Sequence, residues 1–370
     1  MARDATAPLE GVFRLQFSFD IGEEIVLDEL RELLKLEKPG REPAFRRLAP
    51  DYMRFERPPL EERLPAVKLA TGEHFPARIR YFHYGVISIE LELPFQGDWQ
   101  GLIQLAAKWI DEPTLESVAE ETARRQTARI AKTVRRPAEQ LLSEDYTIIE
   151  LRRALGPDGR PVTSSELLTH HGSAIAQIVR GELNPLSDSE ENEVLRSSIS
   201  YSPTDLLVVG WSAALVYDAQ SGDPEPVVAL LEYANTQLLE FRYYDQVLSS
   251  VLEKIYNLLR RRGGILRRWR MAGEAERLNA MVVEIRELTE RADHAIKFLS
   301  DVYYARMYKL AAARIGVVDY RQLVDDKLRT ASDLYRFLMD ETHQGRAFIL
   351  ELMVVIILII DLIYIFRGKG

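Results

Sequence analysis

The chain has 370 residues, 46% of them apolar, a net charge of −9 and no cysteine. That is enough apolar material for a soluble core of ordinary size plus extensions, while the acid excess argues against a general nucleic-acid coat, which would be basic. The lack of cysteine excludes disulfides, thiolate zinc sites and cysteine nucleophiles together.

The first residues, MARDATAPLEGVFRLQF, have neither an apolar signal core nor an Arg/Ser-rich transit pattern. The bulk of the chain is therefore expected to stay on the cytoplasmic side. Val12–Asp20 alternates with Phe13, Leu15, Phe17 and Phe19 on one face, as in a half-buried strand. Glu23–Leu36 reads as an amphipathic helix and the Pro- and Arg-rich stretch Lys38–Pro65 as a long loop. Strands are expected at Ala66–Ala70, Ala77–Phe82 and Tyr84–Leu93, then helices at Trp99–Ile110 and Thr114–Arg135, the second with Pro113 just inside its start.

A second block repeats the mixture. Tyr146–Leu151 is expected to be a strand, and Gly156–Pro161, GPDGRP, a turn cluster. Thr163 with Glu166 makes a capping box for a helix to about Arg180, and Ser187 with Glu190 starts another. Leu206–Tyr217 is a near-continuous apolar run and reads as one central strand. Residues 1–222 are thus expected to form a cytoplasmic α+β domain, with possible related halves at 1–140 and 141–222.

Beyond Pro226 the pattern changes to heptads. One seam runs Val227, Leu231, Ala234, Leu238, Phe241, Asp245, Leu248, Leu252, Ile255, Leu259, and Asp245 is its only polar member. A second runs from Leu278 through Met281, Ile285, Leu288, Ala292, Ala295 and Leu299 to Val302, and a third from Val324 through Leu328, Ala331 and Tyr335 to Leu338. Seams this long predict coiled-coil-like packing of three long helices over residues 223–346.

The third seam runs into AFILELMVVIILIIDLIYIF, residues 347–366, about the length needed to cross a bilayer core of roughly 30 Å. The expectation is a C-terminal transmembrane tail anchor followed by the short basic tail 367–370. Arg367 and Lys369 in that tail run weakly against the positive-inside rule. Within the span, Glu351 and Asp361 each lie roughly 7–8 Å from its midpoint. Acids at such depth face protein or water rather than lipid. Ten residues apart, they fall within about 80° of each other, so one helix has one acidic face, and self-association satisfies it. Headgroup contact for Glu351 with a protonated Asp361 is the alternative.

The rise of the third helix and the return of the second bring the loop between helices one and two back to the membrane surface. That loop carries Arg260, Arg261, Arg262, Arg267, Arg268, Trp269 and Arg270. Arginines beside an interfacial tryptophan suit anionic lipid headgroups. RNA phosphates or a solvated helix end would account for the same composition.

No catalytic, cofactor or metal motif stands out. P-loop, GxGxxG, HExxH and GxSxG patterns are absent. His170 and His171 are adjacent on a predicted helix and do not share a face.

Two stretches carry a family resemblance. FHYGVISIE, Phe82–Glu90, resembles the Tyr-Gly-Val-Val strand of the "required for meiotic nuclear division" family, a tail-anchored domain-of-unknown-function group. ILELMVVIILIIDLIYI, Ile349–Ile365, resembles that family's anchor, with Glu351 and Asp361 on its two acidic positions. The middle of the chain reads as a divergent bacterial branch. The resemblance implies a membrane-anchored, self-associating protein without known catalytic residues.

The functional expectation is a non-enzymatic, self-associating scaffold at a bacterial inner membrane that presents its α+β domain to an unidentified protein partner. Two alternatives stand beside it. One is an oligomeric cation channel or transporter lined by Glu351 and Asp361, a plan similar to the magnesium-channel family, although that family's second membrane helix and Gly-Met-Asn signature are absent. The other is an enzyme of unknown type in the α+β domain.

Overall fold

The computed structural model describes residues 9–35, 58–69, 72–219, 224–260, 273–274, 276–283, 285–286 and 302–367, with side chains except at 139, 258–259, 338, 340–352 and 361–367. Alternation of large apolar and polar residues drives the central strand, β1 (Leu9–Ile25), which is longer than expected at both ends. It runs through Glu23–Ile25, so the following helix, α1 (Leu27–Leu34), begins four residues later than the amphipathic pattern suggested.

Next come β2 (Leu60–Lys68), β3 (His74–Tyr81) and β4 (Val86–Gly97). The expected loop up to Pro65 is thus partly strand. Pro65 is tolerated because β2 is an edge strand whose register shifts between Leu64 and Val67, where a missing N–H costs no ladder bond. After α2 (Trp99–Trp109), α3 (Pro113–Ile130) stops five residues short of the expected Arg135. Its last turn gives way to a 3-10 turn, Ala131–Thr133, and then to β5 (Val134–Arg153), of which the expected Tyr146–Leu151 strand is only the end.

The helix at 163–180 forms as its caps dictate. In α4 (Ser164–Arg180) Thr163 and Glu166 make the reciprocal capping box, and Gly181 closes the C-terminus in the left-handed region. Ser187 caps α5 (Asp188–Leu195). The apolar run 206–217 is a hairpin rather than one strand: β7 (Asp205–Val209) turns at Gly210–Ser212 into β8 (Ala213–Asp218), with the two-residue β6 (Ser198–Ile199) beyond it. Apolarity on both faces obscured the turn, since either arrangement buries every residue.

The strands form a single sheet in the order β2-β3-β4-β1-β5-β8-β7-β6. Spatially it is nearly symmetric about the β1–β5 pair, each long strand having the last strand of the next three beside it. Direction breaks the symmetry: β1 pairs with β4 antiparallel and β5 with β8 parallel. The regions either side of residue 140 therefore share an order but not a topology, and β5 itself runs through that point. One face of the sheet is apolar and packs against α1 to α5 in two adjoining clusters centred on Phe13 and Phe19.

Three further helices follow: α6 (Glu225–Arg260), α7 (Val302–Ile315) and α8 (Val317–Arg367). Gly316, at φ 98°, separates the last two, a conformation that ends helices readily at glycine. The structure divides into two compact units, Met1–Arg242 with Ala292–Tyr320 and Tyr243–Arg291 with Arg321–Gly370. In the first unit α6 is a core helix rather than a coiled-coil strand: residues 231–239 are buried on every side. In the second unit Leu248, Leu252 and Ile255 of α6, Leu278 and Ile285, and Val324, Leu328 and Ala331 of α8 are buried, as their heptad positions require. Val302, the last member of the second seam, is instead 74% exposed at the start of α7, and Leu288–Leu299 lie outside the described residues. Among the described residues no helix is long and apolar enough to cross a membrane; α8 continues as helix through Glu351 and Asp361, whose side chains are outside the description.

The tight turn between β3 and β4 is fixed by one glycine. Gly85 sits at φ 91°, its carbonyl accepts from Ile21 N at 3.0 Å, and a Cβ there would lie 1.6 Å from the Gly22 carbonyl oxygen. Gly85→Ala is expected to cost at least about 2 kcal/mol, from strain plus a backbone clash, whereas Gly97→Ala, with open space around it, leaves the urea midpoint unchanged. Equal midpoints for both variants would show that the turn can re-form elsewhere.

Candidate functional site

The opposite face of the sheet is polar and nevertheless buried. Period-two alternation places Arg14, Gln16, Ser18 and Asp20 of β1 on it, with Ser88, Glu90 and Glu92 of β4, Arg78 and Arg80 of β3, and Glu150 and Arg152 of β5. The first turns of α6 cover this face and bring two more acids, Glu225 and Glu232.

The groups close on one another. Arg14 Nε donates to Glu150 Oε2 at 2.8 Å, and its Nη1 donates to Glu90 Oε1 at 2.9 Å and lies 3.1 Å from Glu225. Arg78 Nε also donates to Glu90, at 2.9 Å, and its Nη2 reaches Glu225 at 3.2 Å. Arg80 donates to Glu61 at 2.9 Å, to Glu225 at 3.2 Å and to Glu232. Gln16 Nε2 donates to the second oxygen of Glu90 at 3.0 Å, and Arg152 takes Glu150 Oε1 at 2.6 Å from the rim.

Burial and charge compete at each member. Burial alone would push Glu90 up, but Arg78, Arg14 and Arg80 together hold its carboxyl below the usual range. Glu225 is depressed for the same reason, with Arg78 the foremost cation. Burial works to lower Arg14 and Arg80, yet the surrounding carboxylates keep both guanidiniums above their ordinary value. Glu232 is the exception. Burial raises it, Arg80 offsets only part of that, and the charge of Glu90 raises it further. Asp20 has weaker compensation: burial pushes its carboxyl up to about 7 against a 3.1 Å bond from Gly22 N–H, which lowers it.

Chemically, such an arrangement holds α6 on the sheet and positions fixed charges; each of its buried guanidiniums is met by two or more protein carboxylates. Among the described residues no group of three His, Cys, Asp or Glu side chains is placed to hold a metal.

The residues singled out from sequence fall elsewhere. Asp245, the polar member of the α6 seam, pairs with Lys327 of α8, which also donates to Ser249 Oγ at 2.5 Å. Arg260 is exposed at the end of α6, while Arg261, Arg262, Arg267, Arg268, Trp269 and Arg270 lie outside the described residues. Glu351 and Asp361 are placed on α8 by backbone only. The ion network was missed because alternating polar residues on β1 look like a solvent face. The one signal that pointed to it was the cluster of Glu232, Asn235, Thr236 and Gln237 within the most apolar part of α6.

Fold and site together define an α+β protein built on one eight-stranded sheet, with a buried ion network under a long helix. Residues 10–224 match the family described as "Uncharacterized protein MJ0711, N-terminal domain", and the chain belongs to that family. It is 20% identical over 220 residues to the uncharacterized protein MJ0711 of Methanocaldococcus jannaschii, which covers 60% of this chain; the chain spans 65% of that relative's length. No solved structure matches. None of these comparisons bears on the resemblance to the "required for meiotic nuclear division" family.

Two substitutions test the site. Arg14→Leu removes the buried cation shared by Glu90, Glu150 and Glu225 and is expected to cost about 3–5 kcal/mol by urea unfolding, whereas loss of the exposed Arg160–Asp158 pair in Arg160→Leu leaves the midpoint in place. A small effect of Arg14→Leu would mean that water enters the network freely. For Asp20, the unfolded carboxyl titrates near about 4, so from there to about 7 the folded protein holds a proton that the unfolded chain releases. Its contribution to stability is full below that window and falls as pH rises through it. Asp20→Asn should flatten this fall and raise the melting temperature at pH 7.5; a decrease there would show that the charged carboxylate is the stabilising form.

Proposed function

We propose that this protein is a self-associating, membrane-anchored scaffold whose α8 tail sits in a lipid bilayer and whose sheet domain is presented to a protein partner on the cytoplasmic side. The observation that carries the reading is the run Met353–Ile360, eight consecutive large apolar residues each 47–61% exposed. Apolar patches of that extent on a water-facing helix mark a membrane or partner surface. The flanking sequence extends the run to residues 347–366, the length of a bilayer span, on a helix that continues unbroken from Val317 to Arg367.

The two acids within the run favour association of copies, since an ionisable group at that depth needs a protein or water neighbour. The arginines at 260–262, 267, 268 and 270 suit anionic headgroups. No role in catalysis is included, because the guanidiniums of the ion network are met by protein carboxylates. The resemblance of Ile349–Ile365 to a tail anchor of the "required for meiotic nuclear division" family is consistent with this reading.

The test is extraction followed by mass. Expressed full chain should stay with the membrane pellet through alkaline carbonate and leave it only with detergent; recovery in the carbonate supernatant overturns the anchor. Light scattering on the detergent-solubilised protein should give a multiple of the 42.4 kDa chain mass, reduced to the single-chain value in Glu351→Leu/Asp361→Leu. A wild-type monomer would exclude self-association and with it any channel lined by these acids.

A further inference from the structure

Six buried polar atoms beneath α6 have no protein partner: Gln16 Oε1, Ser18 Oγ, Ser88 Oγ, Glu232 Oε1 and both side-chain polar atoms of Asn235. Their five residues are at most 2% exposed. Folded interiors rarely leave even one or two such atoms unpaired in a region this small.

Register and helix spacing bring them together. Ser18 and Ser88 are direct cross-strand partners on β1 and β4, and Gln16 precedes Ser18 by two residues on the same face, opposite Glu90. Glu232 reaches from α6 to Arg80, whose own partner on β4 is Ser88, which brings the Ser88 hydroxyl near enough to the Glu232 carboxylate to lower it without hydrogen-bond geometry between them. One residue past Asn235, Thr236 bonds to Tyr84 at 2.8 Å, and a turn further on Leu239 packs on Phe82 and Val86. Asn235 is therefore bracketed over the stretch of β4 from Val86 to Ser88.

The chemistry of the set is specific. Five of the six atoms are oxygens, and the Asn235 amide can be turned over so that its oxygen rather than its nitrogen faces the others. Only one is a carboxylate oxygen, the other oxygen of Glu232 being taken by Arg80. The network around it has an excess of acid, with Arg14, Arg78, Arg80 and Arg152 facing Glu61, Glu90, Glu92, Glu150, Glu225 and Glu232. Divalent cations draw on several carboxylates; a single carboxylate oxygen among neutral oxygens matches a singly charged ion.

We propose that these atoms form a monovalent cation site, for sodium or potassium, between α6 and the β1–β4 pair, with Glu232 Oε1, Ser18 Oγ, Ser88 Oγ, Gln16 Oε1 and Asn235 as ligands. The ion supplies the positive charge that the network lacks and joins α6 to the sheet, so the docking of this helix depends on the alkali-metal content of the solution.

Thermal unfolding of the full chain in detergent, in sodium, potassium and choline chloride at equal ionic strength, tests this directly. The expected result is a saturable rise in midpoint of several degrees with sodium or potassium relative to choline. Ser18→Ala/Ser88→Ala should lose that difference while keeping the choline midpoint. Equal midpoints in all three salts for the wild type overturn the proposal and leave water or a proton on Glu232 as the occupant. Retention of the alkali effect in the double variant also overturns it, by placing the ion elsewhere. Should the double variant fail to fold, thallium(I) soaked into crystals of the wild type decides: an anomalous peak bonded to Glu232 supports the site, and its absence overturns it.

Discussion

The constraint on which the rest of the structure depends is the guanidinium of Arg14, fixed in the middle strand of the sheet with 5% of its side chain exposed. A charge this far from water must be met by opposite charge and by hydrogen bonds at every donor, or the fold loses several kcal/mol. Strands on both sides supply that charge, Glu90 from β4 and Glu150 from β5. The remaining charge has to come from whatever covers the sheet. An apolar helix would not serve; α6 does, because Glu225 and Glu232 stand on its inner face.

That requirement explains why the sheet has two unlike faces. On one, Phe13, Phe19, Ile89 and Ile149 pack against α1 to α5 by apolar burial alone, which is non-directional and tolerates repacking. On the other, the charged side chains pair with particular partners on neighbouring strands and on α6, which favours one register of helix against strands. Buried polar networks are weak contributors to net stability and strong determinants of register. The second unit uses the same device on a smaller scale, where Lys327 meets Asp245 and Ser249 beside the buried Leu248 and Leu252.

The family match ends at residue 224, just before α6 begins. The sheet half of the ion network thus lies within the shared domain, while Glu225 and Glu232, the long helices and the exposed apolar run at 353–360 lie beyond it. The proposed anchor lies on α8, and the proposed cation site at the junction between domain and helix.

By itself the sequence determined the local structure wherever the deciding interactions are local. The capping box at Thr163 and Glu166, the Ser187 cap, the β1 alternation and the heptads through Leu248 and Leu328 all formed as their spacing required. Side chains one turn or two residues apart settle such features, and those are legible in a chain. Only the tertiary structure decided that 206–217 is a hairpin, because a doubly buried run carries no periodicity to mark its turn. It alone decided that β1 and β5 are neighbours, that Arg14, Gln16 and Ser18 are interior, and that Asp245 has Lys327. A polar face toward water and a polar face toward a polar helix have the same strand pattern, and the difference lies in α6, more than two hundred residues away from β1.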